Sequence, residues 1–161
     1  VERRARPLLT ALDRAGTVYA PSPLHDVRIA AKKFRYAVEL VRELAGVPLA
    51  EPLRAMKAEQ ERLGQLHDLQ VVQARLQALA GRAGTSRAAI RAFKTVTVAL
   101  ENDCRALHAE FVGGVAGFAE SIGRARTASA LALVQPAPRR MAGRPAKPST
   151  GSGTRAGRGH G

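Results

Sequence analysis

Cationic side chains recur with helical spacing between Leu24 and Arg42. Arginine offers planar, bidentate donors to phosphate oxygens, lysine a mobile point charge, and histidine a donor that gains strength when protonated. The polar positions are His25, Arg28, Lys32, Arg35, Glu39 and Arg42. On a helix these residues share a face, and each turn rises about 5–6 Å, so a linear polyanion would meet cations repeatedly. The spacing predicts an anion-binding stripe, which we call the basic stripe.

An apolar seam in the same segment must position the basic stripe. It runs one residue ahead of it, at Leu24, Val27, Ala31, Phe34, Val38 and Val41. A helix that buries this seam leaves the basic stripe at the surface or at the edge of a groove. The alternative interpretation is a solvated basic face in which Glu39 and Glu43 pair with neighbouring cations, and the pattern alone leaves this open.

No comparable pattern predicts catalysis. The sequence contains no G-x-S-x-G, P-loop or dinucleotide-binding glycine motif. His25 and Asp26 are adjacent, as are His67 and Asp68, so each pair points about 100° apart on a helix and cannot act as a dyad. We therefore expect no catalytic residue.

Metal binding would require histidines that are distant in the sequence to converge. His25, His67 and His108 have no local ligand spacing, and only Cys104 and His108 are four residues apart. Hydrogen-bonded or surface histidines are the simpler interpretation. We expect neither a metal site nor a cofactor.

The charge of the chain predicts polyanionic partners. Its 161 residues carry 26 Lys and Arg against 13 Asp and Glu, a formal net charge of +13, and no acidic residue follows Glu120. Such an excess is typical of proteins that bind nucleic acid, anionic membranes or phosphate polymers. A single cysteine, Cys104, excludes an internal disulfide, and no apolar run reaches about 18 residues. We expect a cytoplasmic protein without membrane association.

Low aromatic content and an abundance of Ala, Leu, Arg and Glu favour helices. We predict a short helix within residues 1–15 and a linker over 16–23. Ser22 is the expected N-cap of the next helix, which ends at about Ala45 because Gly46 and Pro48 follow.

Two further helical segments follow. One begins near Glu51, and Gly64 predicts a kink or a break there, with Asp68 as a candidate N-cap beyond it. The other begins after Thr85 or Ser86. We predict an all-α protein, an antiparallel helical bundle with a disordered basic C-terminal tail, divided into residues 1–19 (short helix and linker), 20–118 (helical domain) and 119–161 (tail).

Two sequence motifs resemble the CHAD domain (conserved histidine α-helical domain). The first is LHDVRIAAKKFRYAVEL at 24–40, and the second is LRAMKAEQERLGQLHD at 53–68. The resemblance extends over residues 20–112. It implies a helical bundle that binds inorganic polyphosphate without catalysing a reaction. By position, it assigns polyphosphate binding to His25, Arg28, Lys32, Lys33, Arg35, Tyr36, Arg54 and Lys57, and orienting roles to Glu39 and Asp68.

The resemblance also implies a partner surface. CHAD domains normally contain two related halves around one basic cavity, and the motif at 24–40 resembles that of the second half. We therefore expect the opposite wall to come from a second copy of the chain or from a separate N-terminal half. Residues 1–15 would be the end of the last helix of that half.

The leading hypothesis is non-catalytic polyphosphate binding by the basic stripe and the facing Lys57 helix, in the cytoplasm and in association with polyphosphate granules. One alternative is nucleic-acid binding led by the tail, whose cations are interspersed with Gly and Pro. Another is an accessory role in metal-dependent phosphohydrolysis, although no carboxylate cluster lies near the motif.

Overall fold

Four helices make up most of the chain in the computed structural model, which describes residues 1–82 and 84–134. α1 spans Glu2–Ala15, α2 Pro21–Ala45, α3 Ala50–Ala80 and α4 Arg87–Val134. Successive helices are antiparallel, and the described residues contain no strand. The prediction of an all-α antiparallel bundle is confirmed.

A single apolar core joins all four helices. α1 has buried residues at three- and four-residue spacing, including Ala5, Leu8 and Leu12, which make one face of that helix apolar. The core also takes the predicted α2 seam, the buried face of α3 up to Leu66, and Phe111, Phe118 and Ile122 of α4. α1 is therefore part of the bundle that contains the two motifs.

The start of α2 differs from the prediction. The helix begins at Pro21, after Ala20 in an extended conformation (φ −142°, ψ 125°), and no side chain caps it. Ser22 is thus inside the first turn and is not the N-cap. Both Pro21 and Pro23 are tolerated there because first-turn N–H groups have no partner within the helix. The C-terminal stop is as predicted, since Gly46 adopts the left-handed conformation (φ 65°) and its N–H bonds to Arg42.

The predicted break at Gly64 does not occur, and α3 is one helix of 31 residues. Leu63, just before Gly64, and Leu66, two residues after it, are both buried. A helical glycine costs only about 1 kcal/mol relative to alanine, which burial of two leucines outweighs. Asp68 therefore lies inside α3 and does not cap a separate helix.

Glycine has a packing role in α4. A Cβ atom at Gly114 would lie 2.9 Å from Oε1 of Glu59. Glu59 is buried and accepts a 2.5 Å hydrogen bond from Arg62, which also pairs with Glu110 at 3.4 Å. The lack of a side chain at 114 lets α4 pass close to this ionic group.

α4 extends into the segment that we predicted as tail. It continues for 48 residues to Val134, and Ile122, Ala125 and Ser129 are buried. Residues 119–134 are therefore helical, because their apolar positions complete the core beside α1 and α3. The remainder of the predicted tail, 135–161, lies outside the described residues.

Beyond the level of α1 and α2, α3 and α4 continue as a two-helix arm. We define the arm as residues 69–82 and 84–100. None of these residues is buried or packs against the core, and Val72, Leu79 and Val96 are 45%, 38% and 47% exposed. No helix within the described ranges is both long and apolar enough to cross a membrane.

Tyr19, in the linker between α1 and α2, contacts α3 and α4 where the arm begins. Tyr19 accepts a 3.0 Å hydrogen bond from Gln70 of α3, and its ring lies 5.5 Å from that of His108 on α4. Burial raises the pKa of Tyr19, and the nearby Cys104 adds to this effect while the bond from Gln70 opposes it. Burial lowers the pKa of His108, whose Nε2 atom is buried and has no hydrogen-bond partner among the described residues.

Candidate anion-binding site

α2 presents the basic stripe as its apolar seam requires. Leu24, Val27, Ala31, Phe34 and Val38 are buried, and Val41 packs against the core. The opposite side of the helix is therefore solvent-facing. His25, Lys32 and Tyr36 are exposed there, whereas Arg28 is half-buried at the side of the helix. This agrees with the seam predicted from the sequence.

Arg35 occupies a different environment from the other cations of the stripe. Its side chain is only 16% exposed and pairs with Glu39, and its Nε donates a 2.7 Å hydrogen bond to Gln60 of α3. Its guanidinium carbon lies 4.6 Å from the centre of the Tyr36 ring, within the range of a cation–π contact. Arg35 thus links α2 to α3, with its charge largely neutralised by Glu39.

Lys57, from the second motif, lies beside Arg35 from the first. The two side chains line a small cavity of about 360 Å³ together with Gln60 and Glu61 of α3. Packing of α2 against α3 therefore brings the two motifs together. Lys57 is exposed, as is Arg54 one turn earlier on α3.

Most cations of this surface have no carboxylate partner. Within residues 1–82 and 84–134, no ion pair is formed by Arg28, Lys32, Lys33, Arg54 or Lys57. Two ion pairs fit the alternative interpretation, in which acidic residues of α2 neutralise neighbouring cations: Arg35 with Glu39, and Arg42 with Glu43 at 4.0 Å.

Glu39 and Asp68, the two residues predicted to orient cations of the motifs, lie in different environments. Glu39 pairs with Arg35 and so fixes a motif cation. Asp68 is exposed and has no ion pair within the described part of the chain. Its orienting role remains a prediction.

Two of the three distant histidines lie together. The ring centres of His25 and His67 are 5.4 Å apart, with the rings tilted by 44°. His108 instead packs against Tyr19 at the base of the arm. Over the described ranges, no group of three or more His, Cys, Asp or Glu side chains is arranged to hold a metal ion.

A second basic surface lies on the other side of α2. α1 and α2 form a groove of about 840 Å³. We call it the α1–α2 groove. Its lining is Arg4, Arg6, Pro7, Thr10, Ala11, Arg14, Ser22, Pro23, His25, Asp26, Ile29, Ala30 and Lys33. Lys33 therefore faces α1, whereas Arg35 and Lys57 lie at the α2–α3 contact.

Sequence reasoning did not assign the α1 arginines to a site. Arg6 and Arg14 are eight residues apart and Arg4 and Arg14 ten, so on a helix each pair lies within about 80°. That spacing was a usable signal for a basic face, although Arg4 and Arg6 themselves point apart. Nothing in the sequence shows that this face adjoins Lys33. The alternative of nucleic-acid binding led by the tail concerns residues outside the described ranges.

A family model described as CHAD domain matches residues 1–77. The match contains both motifs, α1, α2 and most of α3. No curated protein and no solved structure matches the chain. CHAD domains in general are helical domains that bind polyphosphate and are not catalytic. The resemblance identified from the two motifs is confirmed over residues 1–77, which match the CHAD domain model.

Proposed function

We propose that this protein binds inorganic polyphosphate, without catalysing a reaction, on the outer surface of α2 and the adjoining edge of α3. The observation that carries the proposal is the group of unpaired cations there, Arg28, Lys32 and Lys57, around the fixed Arg35. The group lies in the part of the chain that matches the CHAD model. Its physiological setting would be the cytoplasm, at polyphosphate granules.

Each residue has a distinct part in this proposal. Lys32 and Lys57 are exposed and contact phosphate oxygens as mobile point charges, and Arg28 contributes planar donors. Arg54 extends the surface by one turn of α3. His25 and Lys33 continue it around α2 towards the α1–α2 groove.

Arg35 acts chiefly as a positioning residue. Its bonds to Glu39 and Gln60 hold the α2–α3 contact in register, and Tyr36 stacks on its guanidinium. Lys32 also approaches the Tyr36 ring, with Nζ 5.9 Å from its centre. The surface is thus organised before the ligand arrives, which reduces the entropy lost on binding.

The mechanism is charge neutralisation along a polymer. Each phosphate contacted by a cation releases condensed counterions, so affinity falls steeply with salt concentration. Unpaired like charges on neighbouring turns of α2 also repel one another, and a bound polyanion relieves that repulsion. A second chain placed against this surface would add contacts, and we propose a homodimer, or a separate N-terminal half, as that partner.

The test compares two double variants in binding to immobilised long-chain polyphosphate. Lys32→Ala/Lys57→Ala removes two exposed cations of the proposed surface. Arg91→Ala/Lys94→Ala removes the same charge from the arm, where neither residue forms an ion pair within the described ranges. At about 0.15 M salt we expect the first to lose about tenfold or more in affinity and to show a shallower salt dependence, and the second to change by about twofold or less.

Equal losses in the two double variants would show that net charge, and not this surface, determines binding. A chain ending at Val134 completes the test. If polyphosphate binding is lost with residues 135–161 while Lys32→Ala/Lys57→Ala has no effect, the proposed surface is wrong and the tail is the binding element.

A further inference from the structure

The α1–α2 groove contains features that an inorganic phosphate polymer does not need. Its volume, about 840 Å³, lies within the range of small-molecule sites. Between its charged residues it is lined by apolar side chains: Pro7, Ala11, Pro23, Ile29 and Ala30. A bare polyphosphate would gain nothing from that surface, whereas a ligand with a planar or apolar portion would gain from burying it.

Cations from two helices border these apolar side chains. Arg4 and Arg14 belong to α1 and Lys33 to α2, and none of the three has an ion pair among the residues described. Arg6 is only loosely paired, at 3.7 Å from Glu2. Arg4 and Arg14 are ten residues apart, about 15 Å along the axis of α1, so the cleft has cations at both ends. Arginine donors suit linked phosphates better than a single carboxylate.

Asp26 distinguishes between the two kinds of phosphate ligand. Its carboxylate lines the groove, is exposed and has no ion pair within the described ranges. Beside an inorganic polyanion it is repulsive. A carboxylate next to a phosphate site is, however, the usual acceptor for a ribose hydroxyl, as in dinucleotide-binding proteins. Thr10 and Ser22 add hydroxyl groups to the same lining.

We propose that the α1–α2 groove binds a nucleoside di- or triphosphate. The phosphates lie at the Arg14 end of the groove, beside His25, the ribose at Asp26, and the base against the apolar lining around Ile29. This goes beyond polyphosphate binding and does not rest on it. His25 and Lys33 adjoin both surfaces, but Lys32 and Lys57, the cations removed to test polymer binding, are not part of the groove lining.

The test is calorimetric titration of the full-length Lys32→Ala/Lys57→Ala variant, which lacks two cations of the proposed polymer surface, with ATP and with tripolyphosphate, without divalent cations and at one salt concentration. Both ligands carry three linked phosphates, and only ATP has a base and a ribose. We expect ATP to bind about tenfold more tightly, a difference of about 1.4 kcal/mol. Equal affinities, or tighter binding of tripolyphosphate, would overturn the proposal.

Asp26→Ala should change the affinities for ATP and for tripolyphosphate in opposite directions. Removing the carboxylate should weaken ATP binding by about tenfold, since the ribose loses its acceptor, and strengthen tripolyphosphate binding, since a like charge is gone. If both ligands bind more tightly, the groove is a plain cationic surface and the proposal is wrong. Asp26→Asn, which keeps the size of the side chain, serves as a second variant.

Two further variants locate the phosphates. Arg14→Ala should weaken both ligands, and Arg75→Ala, which removes the same charge from the arm, should leave both unchanged. Equal effects of the two would contradict the assignment to the groove. Lys32→Ala/Lys57→Ala should leave the affinity for ATP unchanged. That result would hold even if the protein proved not to bind long-chain polyphosphate, so the two proposals fail separately.

Discussion

The bundle and the arm use the same two helices in different ways. In the bundle, α1 and α2 cover one side of the α3–α4 pair, and aromatic side chains such as Phe34 and Phe111 are fully enclosed. In the arm, α3 and α4 have only each other. Leu76 of α3 and Phe93 of α4 are only half-buried. Two helices alone cannot enclose an apolar seam, so stability should be concentrated in the bundle.

The charges differ as sharply as the burial. Residues 69–100 contain five basic residues, Arg75, Arg82, Arg87, Arg91 and Lys94, and no acidic one. All 13 acidic residues of the chain lie elsewhere, and some of them form pairs between helices, such as Glu51 with Arg124 at 3.0 Å. In the bundle, some cations are neutralised by carboxylates and others are unpaired. In the arm, which has no acidic residue, the cations repel one another. A basic composition alone therefore does not identify a binding site.

The largest predicted effect compares two phenylalanines. Phe34→Ala in the bundle should lower the free energy of unfolding by about 3–5 kcal/mol, because it leaves a cavity in a fully packed core. Phe93→Ala in the arm should cost about 1–2 kcal/mol, because the ring is already partly hydrated. Denaturant unfolding followed by far-UV circular dichroism measures both. Equal losses would mean that the arm is as well packed as the bundle.

An intermediate effect is expected where the two regions meet. Burial lowers the pKa of His108, so the folded state favours the neutral ring. Below the unfolded-state pKa of about 6.5, the unfolded chain binds the proton more readily, and the free energy of unfolding falls as pH drops towards the folded-state pKa. Unfolding curves measured from pH 7.5 downwards in steps of about half a unit test this.

His108→Leu cannot be protonated and should lose this part of the pH dependence, whereas His25→Gln, at an exposed position of α2, should retain it. If the pH dependence survives unchanged in His108→Leu, another group is responsible. Tyr19, whose ring packs against His108, has a raised pKa and is neutral in this pH range, so it does not compensate for an added charge.

The smallest predicted effect concerns charge in the arm. Lys94→Glu places a carboxylate three residues after Arg91, which replaces repulsion by attraction and should stabilise the chain by about 0.2–0.5 kcal/mol. Arg105→Glu, beside Glu101, should act in the opposite direction because it breaks a 2.6 Å ion pair. Thermal unfolding at low salt measures both changes, and both should disappear near 1 M salt, where the Debye length is about 3 Å.

Local periodicity predicted the elements that carry the site. The seam of α2 and the stop at Gly46 follow from side-chain type and spacing alone, and both are present in the structure. The recognition of the family rested on the same stretch. These features need no knowledge of which helix packs against which.

The errors arose where long-range packing outweighs a local preference. Gly64 favours a break, yet Leu63 and Leu66 hold α3 together, and Ile122 draws α4 into the core beyond residue 119. The α1–α2 groove was missed for a related reason. Arg14 and Lys33 are distant in sequence, and only the pairing of α1 with α2 makes them neighbours.

The contact between α4 and the first turn of α1 has a consequence for the residues that follow. Arg126 binds Glu2 through two hydrogen bonds of 2.8 and 2.9 Å, so the chain leaves α4 at Val134 within two to three turns of Arg4. Six further cations follow Val134 in the sequence and are therefore attached at the end of the bundle that carries Arg3, Arg4 and Arg6. Positive charge attached at this end adds to the electrostatic attraction of anions towards the first turns of α1.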